Sequence, residues 1–154
     1  MLVQSHVEPL ADLVAAIRHA NGPAYDVPEF DPLDGGIAAE VLFLLEAPGP
    51  KATSSGFISR NKADETAKSF FLLNAAAGIE RRRTITWNTV PWYIGSKVKI
   101  RPASRTDVRE ADEWLVRLLT LLQRLRCVVF VGKSTSAAGA AARARRVAWP
   151  SLAT

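Results

Sequence analysis

The chain has 154 residues, about one domain's length, with 48% apolar and 23% charged residues, the proportions of a folded globular protein and not of a disordered one. Twenty Lys and Arg stand against 15 Asp and Glu, a net charge of +5, which points weakly to an anionic partner such as nucleic acid. One Cys and two His, scattered at His6, His19 and Cys127, exclude an internal disulfide, a four-thiolate iron–sulfur cluster and a zinc site built from these three.

Leu10, Leu13, Val14 and Ile17 recur at helical spacing and predict a short amphipathic helix, stopped by Asn21-Gly22-Pro23. Residues 23–36, rich in Pro, Asp and Gly, read as a long irregular connection. Val41 to Leu45 is a continuous apolar run, the pattern of a strand buried on both faces in a parallel sheet, and Ala47-Pro48-Gly49-Pro50 ends it. Residues 51–61 are polar and loop-like. Ala67, Phe70, Phe71 and Asn74 predict a helix capped by Asn61 or Asp64 and closed at Gly78. Thr84 to Trp87 is β-branched and aromatic, a second strand closed by Pro91. Residues 93–105 read as a loop. Asp107 and Glu110 have capping-box spacing before a helix whose apolar stripe is Ala111, Trp114, Leu115, Leu118, Leu122 and Leu125. Val128 to Val131 reads as a third buried strand, and residues 136–146, rich in Ala and Arg, as a helix. Strands alternating with helices imply an α/β fold with a parallel sheet.

No run approaches the ~18 uninterrupted apolar residues of a membrane span. The N-terminus carries Glu8 and Asp12 and lacks a basic stretch before an apolar one, so it is not a secretory signal. A cytoplasmic protein without membrane contact is expected, and the low Cys count is compatible with a reducing compartment.

Gly132-Lys133-Ser134 has the ending of a phosphate-binding loop, but the earlier Gly of that motif would fall at Cys127, inside a strand. An ordinary turn accounts for it, and a nucleoside triphosphatase is rejected. A second constellation lies at two strand ends. Leu45-Glu46-Ala47-Pro48-Gly49 puts a carboxylate just past one buried strand, and Trp87-Asn88-Thr89-Val90-Pro91 puts an amide just past the next. In an open parallel sheet both belong to the carboxyl edge, where ligands bind. A carboxylate can orient or deprotonate water, and an amide offers a donor and an acceptor to one base edge. Phe57, in Gly56-Phe57-Ile58, is an aromatic able to stack on a planar ligand. Each has a plainer reading too: Glu46 as a cap, Asn88 as a turn former, Phe57 as core.

The order L-E-A-P-G, G-F-I-S and W-N-T-V-P-W resembles the uracil-DNA glycosylase superfamily, over residues 41–131. The resemblance implies a three-layer αβα sandwich around a short central parallel sheet, formed by the single domain 1–154. It implies Glu46 as the water-positioning carboxylate, Phe57 as the residue stacking on a flipped uracil, and Asn88 as the base reader. Ala47, Pro48, Gly49 and Pro50 become the pocket loop. Lys51, Arg60, Lys97, Lys99 and Arg101 follow strand ends and are candidate phosphate contacts, with a solvated surface as the alternative. Arg81-Arg82-Arg83 precedes a strand and is assigned to the opposite edge. Trp92 and Tyr93 are read as local packing, with lid residues as the alternative, and Arg143, Arg145 and Arg146 stay open.

Three departures accompany the resemblance. Leu45 stands where the motif usually has Gly, which reshapes or narrows the pocket. The cysteine quartet of the iron–sulfur members is missing, which implies a cluster-free branch needing no cofactor. The superfamily's H-P-S motif is missing too: Trp149-Pro150-Ser151 has two of its letters and no His, so the chain is expected to end before that motif and its strand. The implied activity is hydrolysis of the bond between uracil, or a related damaged base, and deoxyribose in DNA, by a monomer that flips the base out of the stack. A DNA-binding relative without catalysis, and a hydrolase of small nucleosides or nucleotides, are the alternatives.

Overall fold

The computed structural model describes residues 5–58, 72, 74–96, 99 and 101–131, and for 51, 52, 55, 57 and 58 the backbone only. Among the described residues, the helices α1 (Glu8–Asn21), α2 (Pro50–Ser55) and α3 (Arg105–Leu121) are interspersed with the strands β1 (Glu29–Phe30), β2 (Val41–Leu45), β3 (Phe57–Ile58), β4 (Thr84–Asn88) and β5 (Cys127–Phe130). β2, β4 and β5 form a parallel sheet in the order β4-β2-β5, and β1 pairs with β3, also in parallel. The fold is α/β, as the alternation of elements predicts.

The apolar run in β2 takes the central position, where both of its edges are hydrogen-bonded. Successive side chains of a strand face opposite sides. Leu42 and Leu44, with their partners Ile85 and Trp87, join one core with Leu10, Val14 and Ile17 of α1 and Trp114, Leu115 and Leu118 of α3. Phe30 of β1 stacks flat on Trp87, ring centroids 3.7 Å apart, which anchors β4 to the small second sheet. The other face of β4 carries Thr84, Thr86 and Asn88, all buried.

The structure corrects several expectations. Residues 50–55, read as the start of a loop, are helical: Pro50 suits a first helical turn, where its missing N–H is no loss, and Thr53 N–H and Oγ1 donate to the carbonyls of Gly49 and Pro50. Gly56, at φ +77°, ends that helix and passes into β3, so Phe57 lies in a strand and not in a loop. The irregular stretch 23–36 contains β1, too short to leave a sequence pattern. α3 is capped by Ser104 and Asp107, not by Asp107 and Glu110: Asp107 N–H donates to Ser104 Oγ at 3.1 Å, and Ser104 N–H donates to Asp107 Oδ2 at 2.7 Å. α3 ends at Leu121, so Leu122 and Leu125 are buried just beyond it. β5 is not buried on both faces. It lies at an edge of the three-stranded sheet, and Cys127 and Val129 are exposed. Gly78, at φ +67°, closes a helical segment as expected, Ile79 N–H donating to Asn74 O and Gly78 N–H to Ala75 O. The rest of that helix, the helix expected over 136–146 and Gly132-Lys133-Ser134 lie outside the described residues.

The amino edge is held by a buried ion cluster. Arg81, in the 3₁₀ turn Arg81–Arg83 before β4, reaches Asp31 Oδ2 at 2.5 Å and Asp34 Oδ1 at 2.9 Å, and both carboxylates are almost wholly buried. Gly35 and Gly36 thread beside it. A Cβ on Gly35 would meet Arg82 O at 2.2 Å, and one on Gly36, already at φ +58°, would meet His6 O at 2.1 Å. Arg81→Ala would leave two buried carboxylates without their guanidinium, and is expected to cost about 3–5 kcal/mol in urea unfolding. A loss under about 1 kcal/mol would show that the cluster is dispensable.

Candidate functional site

β2 and β4 end side by side at the carboxyl edge. Leu45 is the ladder partner of Asn88, and the pairing continues past both strands. Thr89 N–H donates to Leu45 O at 2.7 Å and Val90 N–H to Glu46 O at 2.9 Å. The carboxylate and the amide singled out in the sequence are thus brought together by backbone register. Asn88 is the last residue of β4, one position earlier in the fold than the sequence reading put it.

Asn88 is 3% exposed, and its Nδ2 makes no hydrogen bond to any protein group. Two buried hydroxyls near it in sequence, Thr86 Oγ1 on the same face and Thr89 Oγ1, are also without partners. A buried donor without an acceptor costs free energy, on the order of 1–3 kcal/mol. Three such atoms fall within four residues, Thr86 in mid-strand and Asn88 and Thr89 at the carboxyl end of β4. The hydroxyls escaped the sequence reading, because Thr in a strand carries no signal beyond β propensity.

Glu46 is half-buried, and its Oε1 accepts a short hydrogen bond from Ala103 N–H, in the segment leading into α3. This partner was invisible in the sequence, since a backbone donor belongs to every residue but Pro. The segment after Glu46, expected to form the pocket loop, grades outward: Ala47 is half-buried, Pro48 buried, Gly49 and Pro50 exposed. A Cβ on Gly49 would meet nothing within 4 Å, so the loop faces open space there. Leu45, on the same face as Asn88, puts an isobutyl group beside it where the motif's Gly would leave room.

The five expected phosphate contacts separate. Lys99 is exposed on a closed turn, in which Ser96 N–H donates to Lys99 O at 2.9 Å, Lys99 N–H to Ser96 Oγ at 3.0 Å and Tyr93 OH to Ser96 O at 2.8 Å. Arg101 is bound bidentately to Asp107, at 2.7 and 3.0 Å. This contact raises the Arg101 pKa and holds the Asp107 carboxyl far below the usual carboxylate range. Lys51 belongs to α2, with only its backbone described, as is also true of Phe57 in β3. Arg60 and Lys97 lie outside the described residues, as do Arg143, Arg145 and Arg146. Trp92 is core, and Tyr93 packs locally, as expected. Arg81–Arg83 stand at the amino edge, as expected.

An open depression of about 680 Å³ at the C-terminal end of α1 is lined by Arg18, His19, Tyr25, Asp26 and Val27. Tyr25 stands edge-on to Trp92, centroids 5.0 Å apart, and Tyr93 N–H donates to Asp26 O at 3.0 Å, so this wall is tied to the segment after Asn88. Among the described residues no group of three or more His, Cys, Asp and Glu converges, and no helix is long and apolar enough to cross a membrane. No family model matches the chain, and no curated protein matches it.

The unpartnered Asn88 amide gives a test of the site that is independent of activity. Asn88→Val removes Nδ2 and suits a strand, so the unfolding free energy from urea melts is expected to hold or rise, by up to about 1–3 kcal/mol. A clear loss of stability would show that the amide serves the fold.

Proposed function

We propose that this chain is a DNA glycosylase of the uracil-DNA glycosylase type, with its base pocket at the carboxyl edge of β2 and β4. One observation carries the reading: a buried amide with a free donor stands one ladder pair from a carboxylate held by a backbone N–H. A pyrimidine edge presents the acceptor that Asn88 Nδ2 lacks. The motif order L-E-A-P-G, G-F-I-S, W-N-T-V-P-W supports the same reading, together with the net positive charge. A three-layer αβα arrangement belongs to the proposal, as do uracil-containing DNA as partner, a monomeric state and a cytoplasmic location.

In the proposed reaction the base leaves the stack and enters the pocket, where Asn88 hydrogen-bonds its edge and Phe57 stacks on its face. The C1′–N1 bond breaks with positive charge building on the sugar. Anionic Glu46 stabilises that charge and aligns the water that attacks C1′, and the water's proton passes to solvent or to the carboxylate. The electron pair of the broken bond leaves with the base as negative charge on its carbonyl oxygens. In the superfamily the chain resembles, the donor aimed there is the His of the H-P-S motif, which this sequence lacks, and such a donor is worth about 3–4 kcal/mol of barrier. Leu45 narrows the pocket and favours a small pyrimidine over a larger base.

Anisotropy with a labelled uracil-containing single strand, over a range of salt, tests binding. Affinity that falls steeply with salt is expected, as phosphate-led binding requires. Asn88→Ala should abolish the preference for uracil over thymine strands while leaving overall affinity nearly intact. Glu46→Gln should leave affinity unchanged and slow single-turnover cleavage by roughly 10²-fold or more, the scale of a lost charge-stabilising group. Salt-independent binding, or parent-level cleavage and discrimination in both variants, would overturn the reading.

A further inference from the structure

The segment from Arg101 to Ser104 is wrapped around a single carboxylate. Asp107 Oδ2 accepts from Ser104 N–H at 2.7 Å, from Ser104 Oγ–H at 2.7 Å and from Arg101 Nη1 at 2.7 Å, while Asp107 Oδ1 accepts from Arg101 Nη2 at 3.0 Å. Arg101 Nη1 also donates to Pro102 O at 3.2 Å, which closes the segment on itself. Both ends of a four-residue stretch are therefore tied to Asp107, the third residue of α3. Its third member, Ala103, directs its N–H to Glu46 Oε1, 57 residues earlier in the chain. Between Arg101 and α3, Pro102 has no N–H of its own to offer and Ser104 N–H is taken by Asp107, so Ala103 supplies the amide that reaches Glu46.

We infer that the Arg101–Asp107 clasp is a positioning device for Glu46 and that Arg101 is not a phosphate ligand; the inference rests on the proposed role of Glu46. Two features of the clasp suit that task. A bidentate guanidinium–carboxylate pair fixes direction as well as distance, which a single lysine contact does not. The pair is also anchored on α3, whose Ala111, Trp114, Leu115 and Leu118 are core, so the Ala103 amide is referred to the rigid part of the molecule. A carboxylate that aligns water must be held to a fraction of an ångström, and misplacement by about 1 Å costs about 10²-fold in rate. The two ends of Glu46 are then set independently: its backbone by the ladder to Val90, its side chain by the clasp through Ala103. Arg101 commits three of its five N–H donors, both on Nη1 and one on Nη2, to Asp107 and Pro102 O, so engaging a phosphate bidentately would compete with the clasp.

The test uses the full chain and three variants, Arg101→Ala, Asp107→Ala and Asp107→Glu, with Glu46→Ala as reference. Backbone amide exchange and the ¹H shift of Ala103 report the hydrogen bond without reference to activity. Glu46→Ala is expected to deprotect the Ala103 amide, and Arg101→Ala and Asp107→Ala to do so in part, while Asp107→Glu, which keeps a carboxylate in the capping box, restores protection. With a uracil-containing single strand, Arg101→Ala and Asp107→Ala should lower the single-turnover cleavage rate roughly 10- to 100-fold. Affinity and its salt dependence should stay at the parent's values, and Asp107→Glu should recover most of the rate. Two results overturn the inference: an Ala103 amide indifferent to Glu46→Ala, or an Arg101→Ala variant that cleaves at the parent rate but binds more weakly with a salt slope smaller by about one. A parent chain that binds uracil strands without cleaving them would remove the proposed chemistry, and the Ala103 amide would still decide whether the clasp holds Glu46.

Discussion

β2 runs between β4 and β5 with Leu42, Phe43 and Leu44 buried, and its register against β4 decides what stands at the carboxyl edge. With Leu42 opposite Ile85 and Leu44 opposite Trp87, Leu45 meets Asn88, and the next residues meet as Glu46 and Val90. A slip of one residue would turn Ile85 and Trp87 out of the core and Thr84, Thr86 and Asn88 into it. Burial of Trp87 against Phe30 and of Leu42 and Leu44 against α1 and α3 therefore also fixes the placement of a carboxylate and an amide that contribute nothing to that core.

The two ends of β4 differ in how their polar groups are met. At the amino edge Asp31 and Asp34 are buried with Arg81, and Glu40 faces Arg83 at 2.5 Å, so the charges there are closed on one another. From mid-β4 to its carboxyl end, Thr86 Oγ1, Asn88 Nδ2 and Thr89 Oγ1 have no protein partner.

The sequence made the large elements legible because burial imposes a pattern. The apolar run 41–45 and the β-branched run 84–87 are strands, and the stripes of α1 and α3 match the buried residues. The two-residue strands β1 and β3 left no pattern to read. α2 was hidden because its sequence, PKATSS, is polar and follows Pro-Gly, so the loop signal outweighed the helix signal. The capping box was placed three residues late because Ser104–Asp107 and Asp107–Glu110 share one spacing, and only the hydrogen bonds choose between them. The candidate site was legible as residue types at strand ends. The partner of Glu46 was not, because it is a backbone N–H brought close by tertiary structure, and Arg101 read as a free cation because its carboxylate lies six residues on, across a turn.

If Asn88 holds a base edge, as proposed, the side-chain amide resonances of that residue register the contact. In a ¹⁵N–¹H correlation spectrum titrated with a short uracil-containing single strand, the Asn88 Nδ2 protons should move downfield as they gain an acceptor, together with the amides of Ala47, Gly49 and Val90. A matched thymine strand should leave the Asn88 protons in place. Shifts confined to the depression around Arg18, Tyr25 and Asp26, with Asn88 unmoved by uracil, would contradict the account and put the ligand at the end of α1.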